Sequence, residues 1–269
     1  MGKTKIEWCD AVWNPVTGCS PISEGCTNCY ARRMAQRLRG RYGYPADEPF
    51  RVTLHPDRLD EPRMNWPRPR RIFTCSMGDL FHEDVPDSFI GKIHSRMVHA
   101  FWHTFVVLTK RSRRMLEVSK RLSFYTETTV LPVPGWPPNV IGMVTAENQA
   151  RADERIPDLL ASPFARRGVS LEPMLGPVDL HYWLPDLTAR AIGDALCEDV
   201  RQTIIDWVIV GGETGPGARP MELEWVRDVV QQCKAAGVLC FVKQLHINGR
   251  VSKDPAEWPE DLRVKESPR

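Results

Sequence analysis

The sequence predicts an α/β fold of parallel strands joined by crossover helices, in the manner of a complete or partial TIM-type barrel. Three observations carry that expectation. Short β-branched runs recur along the chain, each ending in polar or Gly residues. The stretches between them repeat apolar residues at helical spacing. A chain of 269 residues with 42% hydrophobic composition can also bury one large core.

Taken in order, about seven runs read as strands. They are Asp10 to Asn14, Arg71 to Ser76, Thr104 to Thr109, Val140 to Thr145, Gly168 to Leu171, Trp207 to Val210 and Leu239 to Lys243. Between the second and third, Phe89, Ile90, Ile93, Met97, Val98 and Phe101 share a helical face behind Pro86, a residue tolerated in a first turn. Ile156, Leu159 and Leu160 make a short apolar face after the fourth strand. Trp225, Val226, Val229, Val230 and Cys233 make another, which stops before the helix terminator Gly237. After Cys29, Ala31, Met34, Ala35 and Leu38 lie on one side of a helix and arginines on the other. The whole chain, 1–269, reads as one domain with loop insertions near 41–70, 125–139 and 185–206, the last carrying a weak helical pattern around Ala191 to Leu196.

Composition removes several function classes. The 36 Lys and Arg against 34 Asp and Glu leave a net charge of +2, so the molecule as a whole is not a polybasic binder. Positive charge is instead concentrated locally, at Arg32, Arg33, Arg37, Arg39 and Arg41 and again at Arg68, Arg70 and Arg71. The N-terminus has no apolar secretory core and no apolar run is long enough to cross a bilayer, which points to the cytoplasm. Eight cysteines in a chain this long do not make a disulfide scaffold.

Three of those cysteines, Cys19, Cys26 and Cys29, are packed into one Pro- and Gly-broken loop. Close thiolates are soft ligands that select zinc, copper(I) or iron–sulfur. A closed structural zinc site wants a fourth ligand, whereas a cubane cluster on three cysteines keeps one iron open. Cys29 also sits at or just before the following helix, whose positive dipole end suits a thiolate.

In parallel barrels the functional residues lie at the carboxyl ends of strands. This chain loads those ends with Asn14; Ser76, Met77 and Asp79; Thr109, Lys110 and Arg111; Thr145, Glu147 and Asn148; Ser170 and Glu172; Gly211, Gly212 and Glu213; Lys243 and Gln244. Glu147, Glu172 and Glu213 either face a ligand or pair with arginines such as Arg151 and Arg219. Gly211-Gly212 makes a tight turn or admits a ligand close to the backbone. Lys110-Arg111 makes a solvated pair or a clamp for a carboxylate or phosphate. Trp8 and Trp13 read as core or interface aromatics rather than stacking platforms.

The ordered set Cys19/Cys26/Cys29, Ser76-Met77-Gly78-Asp79-Leu80-Phe81, Leu108-Thr109-Lys110-Arg111, Ser170-Leu171-Glu172-Pro173 and Gly211-Gly212-Glu213 resembles a phage-associated radical SAM-like family. That family is distantly similar to the spore photoproduct lyase branch of the radical SAM superfamily, and the resemblance runs from Ile6 to about Gly249. The interval from Cys19 to Cys26 is longer than the superfamily's usual spacing. The resemblance implies a partial barrel of the radical SAM kind with an N-terminal three-cysteine cluster loop. It implies that Cys19, Cys26 and Cys29 ligate three irons of a [4Fe-4S] cluster whose fourth iron binds S-adenosylmethionine. One electron from an external reductant would then cleave the sulfonium reductively to methionine and a 5′-deoxyadenosyl radical, which acts on a nucleic acid or nucleotide. Ser76 and Asp79 would meet the methionine amine, Thr145 and Glu147 the ribose or carboxylate, and Glu172, Gly211, Gly212 and Glu213 the adenosine side, with Ser170 a further cofactor-binding candidate. Lys110, Arg111, Lys243, Gln244, Arg32 and Arg33 are the candidates for contacting a DNA or RNA substrate. A second reading is a zinc-stabilised nucleic-acid-binding module in which Cys9 or His82 completes the tetrahedron.

Overall fold

The computed structural model describes residues 4–64, 66, 68–125, 131–185 and 204–268. Most of the expected insertion near 185–206, with Cys197, and part of that near 125–139 lie outside the described residues. The architecture is mixed α/β. The strands are β1 (Ala11–Trp13), β2 (Val16–Thr17), β3 (Thr53–Leu54), β4 (Arg71–Thr74), β5 (Thr104–Thr109), β6 (Ser123–Phe124), β7 (Val133–Pro134), β8 (Val140–Thr145), β9 (Arg166–Leu171), β10 (Trp207–Gly211), β11 (Leu239–Ile247) and β12 (Arg250–Ser252). Eight of them make a mostly parallel sheet in the order β1-β4-β5-β8-β9-β10-β11-β12. The helices are α1 (Tyr30–Arg37), α2 (Glu61–Met64), α3 (Asp87–His99), α4 (Ser112–Ser119), α5 (Gln149–Leu160) and α6 (Leu223–Ala236).

The chain divides into two compact units, the first comprising residues 1–22, 29–143 and 162–166. Here β1 lies parallel to β4 with Ala11 opposite Ile72, and β4 parallel to β5 with Arg71 opposite Thr104. Their apolar runs are buried, including Trp13, Ile72, Phe105, Val106 and Val107, as both-face burial in a parallel sheet requires. Helix α3 follows Pro86 and buries Phe89, Ile90, Ile93 and Met97. Phe101 departs from the expected face. The helix ends at His99 with Ala100 as its cap, and Phe101 lies beyond it, 72% exposed.

The second unit comprises residues 23–28, 144–161 and 167–269. Strands β9, β10 and β11 run parallel, with Gly168 opposite Trp207 and Trp207 opposite Leu239. The β10–β11 register shifts after Val210, so that Gly211 faces Gln244, the re-aiming of a side chain that a bulge gives. Strand β11 extends to Ile247, past the expected end at Lys243, because its last residues pair antiparallel with β12. Helix α5 starts at Asn148, whose side chain accepts from the Arg151 amide at 3.1 Å, a capping bond that satisfies one orphan donor. Helix α6 ends on Gly237 at φ 64.

Candidate functional site

In the first unit the ends of β4 and β5 converge on Asp79. Its carboxylate accepts from Thr109 Oγ1 at 2.7 Å, the Phe81 amide at 3.0 Å, the Lys110 amide at 3.4 Å and Arg111 Nη1 at 3.4 Å. Arg111 is buried and spends its fork on several partners. Its Nε donates to Glu83 at 2.9 Å, its Nη2 to Ser20 Oγ at 2.9 Å and its Nη1 to Cys19 Sγ at 3.3 Å. Burial alone would ease the guanidinium's proton off, but Asp79, Cys19 and Glu83 outweigh it and hold Arg111 above its usual value.

His82 lies beside this group. Its Nδ1 accepts from the Asp84 amide at 3.1 Å, so the neutral ring carries its proton on Nε2, which donates to Ser20 Oγ at 2.8 Å. Burial and then Arg111 push the imidazole down from its ordinary value. A zinc ion on Nε2 would have to displace that bond. Ser76 Oγ donates to Asn14 Oδ1 at 3.2 Å, the same oxygen that takes the Met77 amide at 3.0 Å. Tyr30 OH donates to the Ser76 carbonyl. Cys29 is the N-cap residue of α1, as its position before the helical pattern predicts.

In the second unit the segment around Cys26 is pinned to the ends of β8 and β10. Ser23 Oγ donates to Glu147 Oε1 at 2.5 Å, and Arg155 Nη1 to Glu147 Oε2 at 2.9 Å. Glu147 and Arg155 are both buried, with side chains 0% and 1% exposed. Gly25 rests on the same carboxylate. A Cβ there would stand 2.2 Å from Glu147 Oε1, so only glycine fits.

Glu24 accepts from Asn148 Nδ2 at 2.5 Å and from Arg151 Nη2 at 3.2 Å. Its carboxyl is held down at about 2, first by its own backbone amide and then by Asn148 and Arg151. Asn28 Nδ2 donates to Glu213 Oε2 at 2.8 Å, and Arg219 donates to both oxygens of Glu213 at 2.5 and 2.9 Å. Burial works to raise Glu213, but the bonds from Arg219 and Asn28 bring it to about 2. Cys26 Sγ lies 3.8 Å from Ser23 Oγ.

A further group closes the ends of β9, β10 and β11. Glu172 Oε1 accepts from Lys243 Nζ at 2.5 Å and from Gln244 Nε2 at 2.7 Å. Gln244 Nε2 also donates to the Gly212 carbonyl at 2.7 Å. A Cβ on Gly211 would stand 2.8 Å from Gln244 Nε2, and one on Gly212 2.8 Å from His246 Cδ2. The paired glycines therefore admit the side chains of β11 against their backbone. Gln244 is fully buried, and its Oε1 has no hydrogen-bond partner among the described residues. An orphaned acceptor of this kind asks for a donor. Ser170 and Thr145 are buried strand residues that present carbonyls, to the Ala146 amide at 2.9 Å and to Arg155 Nη1 at 2.7 Å.

The structure thus brings Asp79, Thr109 and Arg111 together with Cys19, and Glu172, Lys243 and Gln244 together with Gly211 and Gly212. Glu147 and Glu213 are engaged by the loop of Cys26 as well as by arginines. For Glu213 the arginine is the expected Arg219; for Glu147 it is Arg155 rather than Arg151, which holds Glu24. Arg32 stands over the Phe50 ring at 5.8 Å and Arg33 follows it on α1. Arg71 is half-buried, and its Nη1 donates to the Trp8 carbonyl at 3.0 Å. Ser23, Glu24, Asn28, Arg155 and Glu83 were not anticipated.

The described thiols fall into two kinds. Cys9, Cys75, Cys233 and Cys240 are buried, while Cys19, Cys26 and Cys29 are half-exposed, and all seven are free of disulfides. Burial pushes the Cys75 thiol up; at Cys240 the neighbouring Cys233 and then burial do the same. Such groups stay protonated and make poor ligands. In kind, the loop trio suits a soft metal. Among the described residues, no group of three or more His, Cys, Asp or Glu side chains is gathered to hold an ion.

A family model described as a protein of unknown function, DUF5131, matches residues 3–257. The chain belongs to that family. No curated protein matches it. Solved structures of spore photoproduct lyase are similar to it at low identity. A cysteine-to-serine mutant is 11% identical, with a TM-score of 0.44 over 78% of this chain and 57% of that one. A complex with dinucleoside spore photoproduct is 9% identical, with a TM-score of 0.45 over 87% and 64%. A double mutant with bound AdoMet and dinucleoside spore photoproduct is 10% identical, with a TM-score of 0.45 over 87% and 64%. The chain spans less than two thirds of the length of those proteins. No described helix is long and apolar enough to cross a membrane.

Proposed function

We propose that this chain is a radical SAM-type iron–sulfur enzyme on a partial barrel, acting on a nucleic acid or nucleotide. Cys19, Cys26 and Cys29 would hold a [4Fe-4S] cluster, and the strand ends would hold S-adenosylmethionine. The observation that carries the reading is the anchorage of the cysteine loop. Cys19 rests on buried Arg111, and the residues flanking Cys26 rest on Glu147, Arg151 and Glu213. Charge-assisted bonds of this kind fix a loop far more firmly than contacts with water would. A loop that carries half-exposed thiols and is pinned this heavily suits ligation better than mobility.

When bound, the cluster and its cofactor supply hydrogen-atom abstraction; the chain's own residues bind, orient and shield. Arg111 is a positive donor against Cys19, which favours the thiolate a metal requires. The orphaned Gln244 Oε1, with Glu172 bonded to the same amide group, suits a group bearing hydroxyl or amine donors. Ribose and adenine both offer them. Asp79 is already satisfied by Thr109, Phe81 and Arg111, so its part is to position Arg111. Glu147 and Glu213 likewise act as anchors of the loop. Substrate phosphates would meet Arg32, Arg33 and Arg37 on α1.

The test is reductive cleavage. Anaerobically reconstituted protein, reduced by dithionite, should release 5′-deoxyadenosine from S-adenosylmethionine. Gln244→Leu should weaken cofactor binding with iron content unchanged. Absence of 5′-deoxyadenosine from protein carrying a full cluster would overturn the proposed chemistry.

A further inference from the structure

The chain leaves α1 through Gly40, Arg41, Tyr42, Gly43 and Tyr44. The Tyr44 amide donates to the Arg41 carbonyl at 3.0 Å, and the Gly40 amide to the Tyr44 carbonyl at 3.0 Å. Within this turn Tyr42 has φ 52 and Gly43 φ 77. Two consecutive positive φ values define a type I′ turn, whose first central position is the usual place of Asn, Asp or Gly. A tyrosine there is strained, and strained backbone clusters where function requires it.

The turn is braced. Arg58 donates through Nη2 to the Tyr42 carbonyl at 2.5 Å and through Nη1 to the Asn14 carbonyl at 3.1 Å. A Cβ on Gly43 would stand 2.8 Å from His55 Cε1, so the turn is closed against its support. The two tyrosines then part: Tyr44 is buried, while Tyr42 is 74% exposed at the tip. Exposed arginines surround that ring in sequence. Arg37, Arg39 and Arg41 precede it, and no acidic residue occurs between Cys29 and Asp47. Asp47 is itself paired with Arg51 at 2.8 Å. Among the described residues, Arg39 donates to the Gln36 amide oxygen and Arg41 to the Arg37 carbonyl, both neutral groups.

We infer that Tyr42 is a stacking platform for an unpaired base of a single-stranded nucleic acid whose backbone runs along Arg37, Arg39 and Arg41. An exposed aromatic on a rigid support, set in a positive field, is the arrangement by which proteins hold single strands without reading sequence. The inference rests on the proposed nucleic-acid substrate and is independent of the cluster.

The test uses the full chain and a fluorescently labelled single-stranded oligothymidylate, with a labelled duplex alongside. Tyr42→Asn places a residue suited to the turn, so melting temperature should be kept or raised. Its affinity for the single strand should nevertheless fall roughly five- to hundredfold, with the salt slope unaltered. Tyr42→Phe should bind like the wild type. Arg39→Ala with Arg41→Ala should instead lower the slope of log affinity against log salt by roughly 1.4. Wild-type affinity in Tyr42→Asn, or equal affinity for the duplex, would overturn the stacking role alone. A wild type that binds neither strand nor duplex at low salt would overturn the polyanion reading with it.

Discussion

Arg155→Met removes one half of the buried pair on which the Cys26 segment leans. Methionine fills the stem volume of arginine, but it leaves Glu147 charged and without the guanidinium at 2.9 Å. The Thr145 carbonyl also loses a donor at 2.7 Å. With side chains 1% and 0% exposed, water cannot replace the lost partner. Breaking a buried pair from one side costs about 3–5 kcal/mol. The exposed pair Arg113–Glu117, with side chains 75% and 51% exposed, should contribute under about 1 kcal/mol. Urea denaturation reads the difference. At a slope of about 3 kcal/mol/M, Arg155→Met should lower the midpoint by about 1 M or more, and Arg113→Met should leave it nearly in place. Adding Glu147→Gln to Arg155→Met should recover part of the loss, because the uncompensated charge is then gone. A loss under about 1 kcal/mol for Arg155→Met would refute the account of Glu147 as a buried, loop-bearing anchor.

Gly25→Ala should destabilise by about 1–3 kcal/mol, since its Cβ would meet a carboxylate already held from Ser23 and Arg155; an unchanged melting temperature would refute that close approach. Glu24 and Glu213 both fall from 4.5 to about 2 on folding. Their depressed values mean that the stabilisation is complete above pH 4.5 and is lost as pH falls toward 2. Arg219→Met removes most of the cause at Glu213, so its stability should decline less steeply across that window than the wild type's. Parallel profiles of the two proteins would contradict this.

Much of the fold is legible because β8 and β10 are buried at every position, which leaves continuous apolar runs that only a covered sheet tolerates. The tail of β11 was harder to read, since it turns from parallel to antiparallel pairing at Leu245. A signal for it exists: Asn248-Gly249, both at positive φ, is the strongest short hairpin cue. The helical face assigned to Phe101 fails because α3 ends at His99 with Ala100 as its cap, which puts Phe101 beyond the last turn.

At the site, polar residues at strand ends were legible as a group from strand position alone. Their partners were not. Ser23 meets Glu147 and Asn28 meets Glu213 across more than a hundred residues, and no local spacing encodes such a pairing. Arg155 sits on α5 where helical geometry returns it toward Glu147, whereas Arg151, one turn earlier, is taken by Glu24.

The cluster itself is the most direct test of the account. Anaerobically purified protein should be brown, with about four irons and four sulfides per chain. Cys19→Ala, Cys26→Ala and Cys29→Ala should each remove the iron, while Cys233→Ala should keep it. Colourless protein carrying one zinc, or a full complement of iron in all three loop variants, would contradict the account.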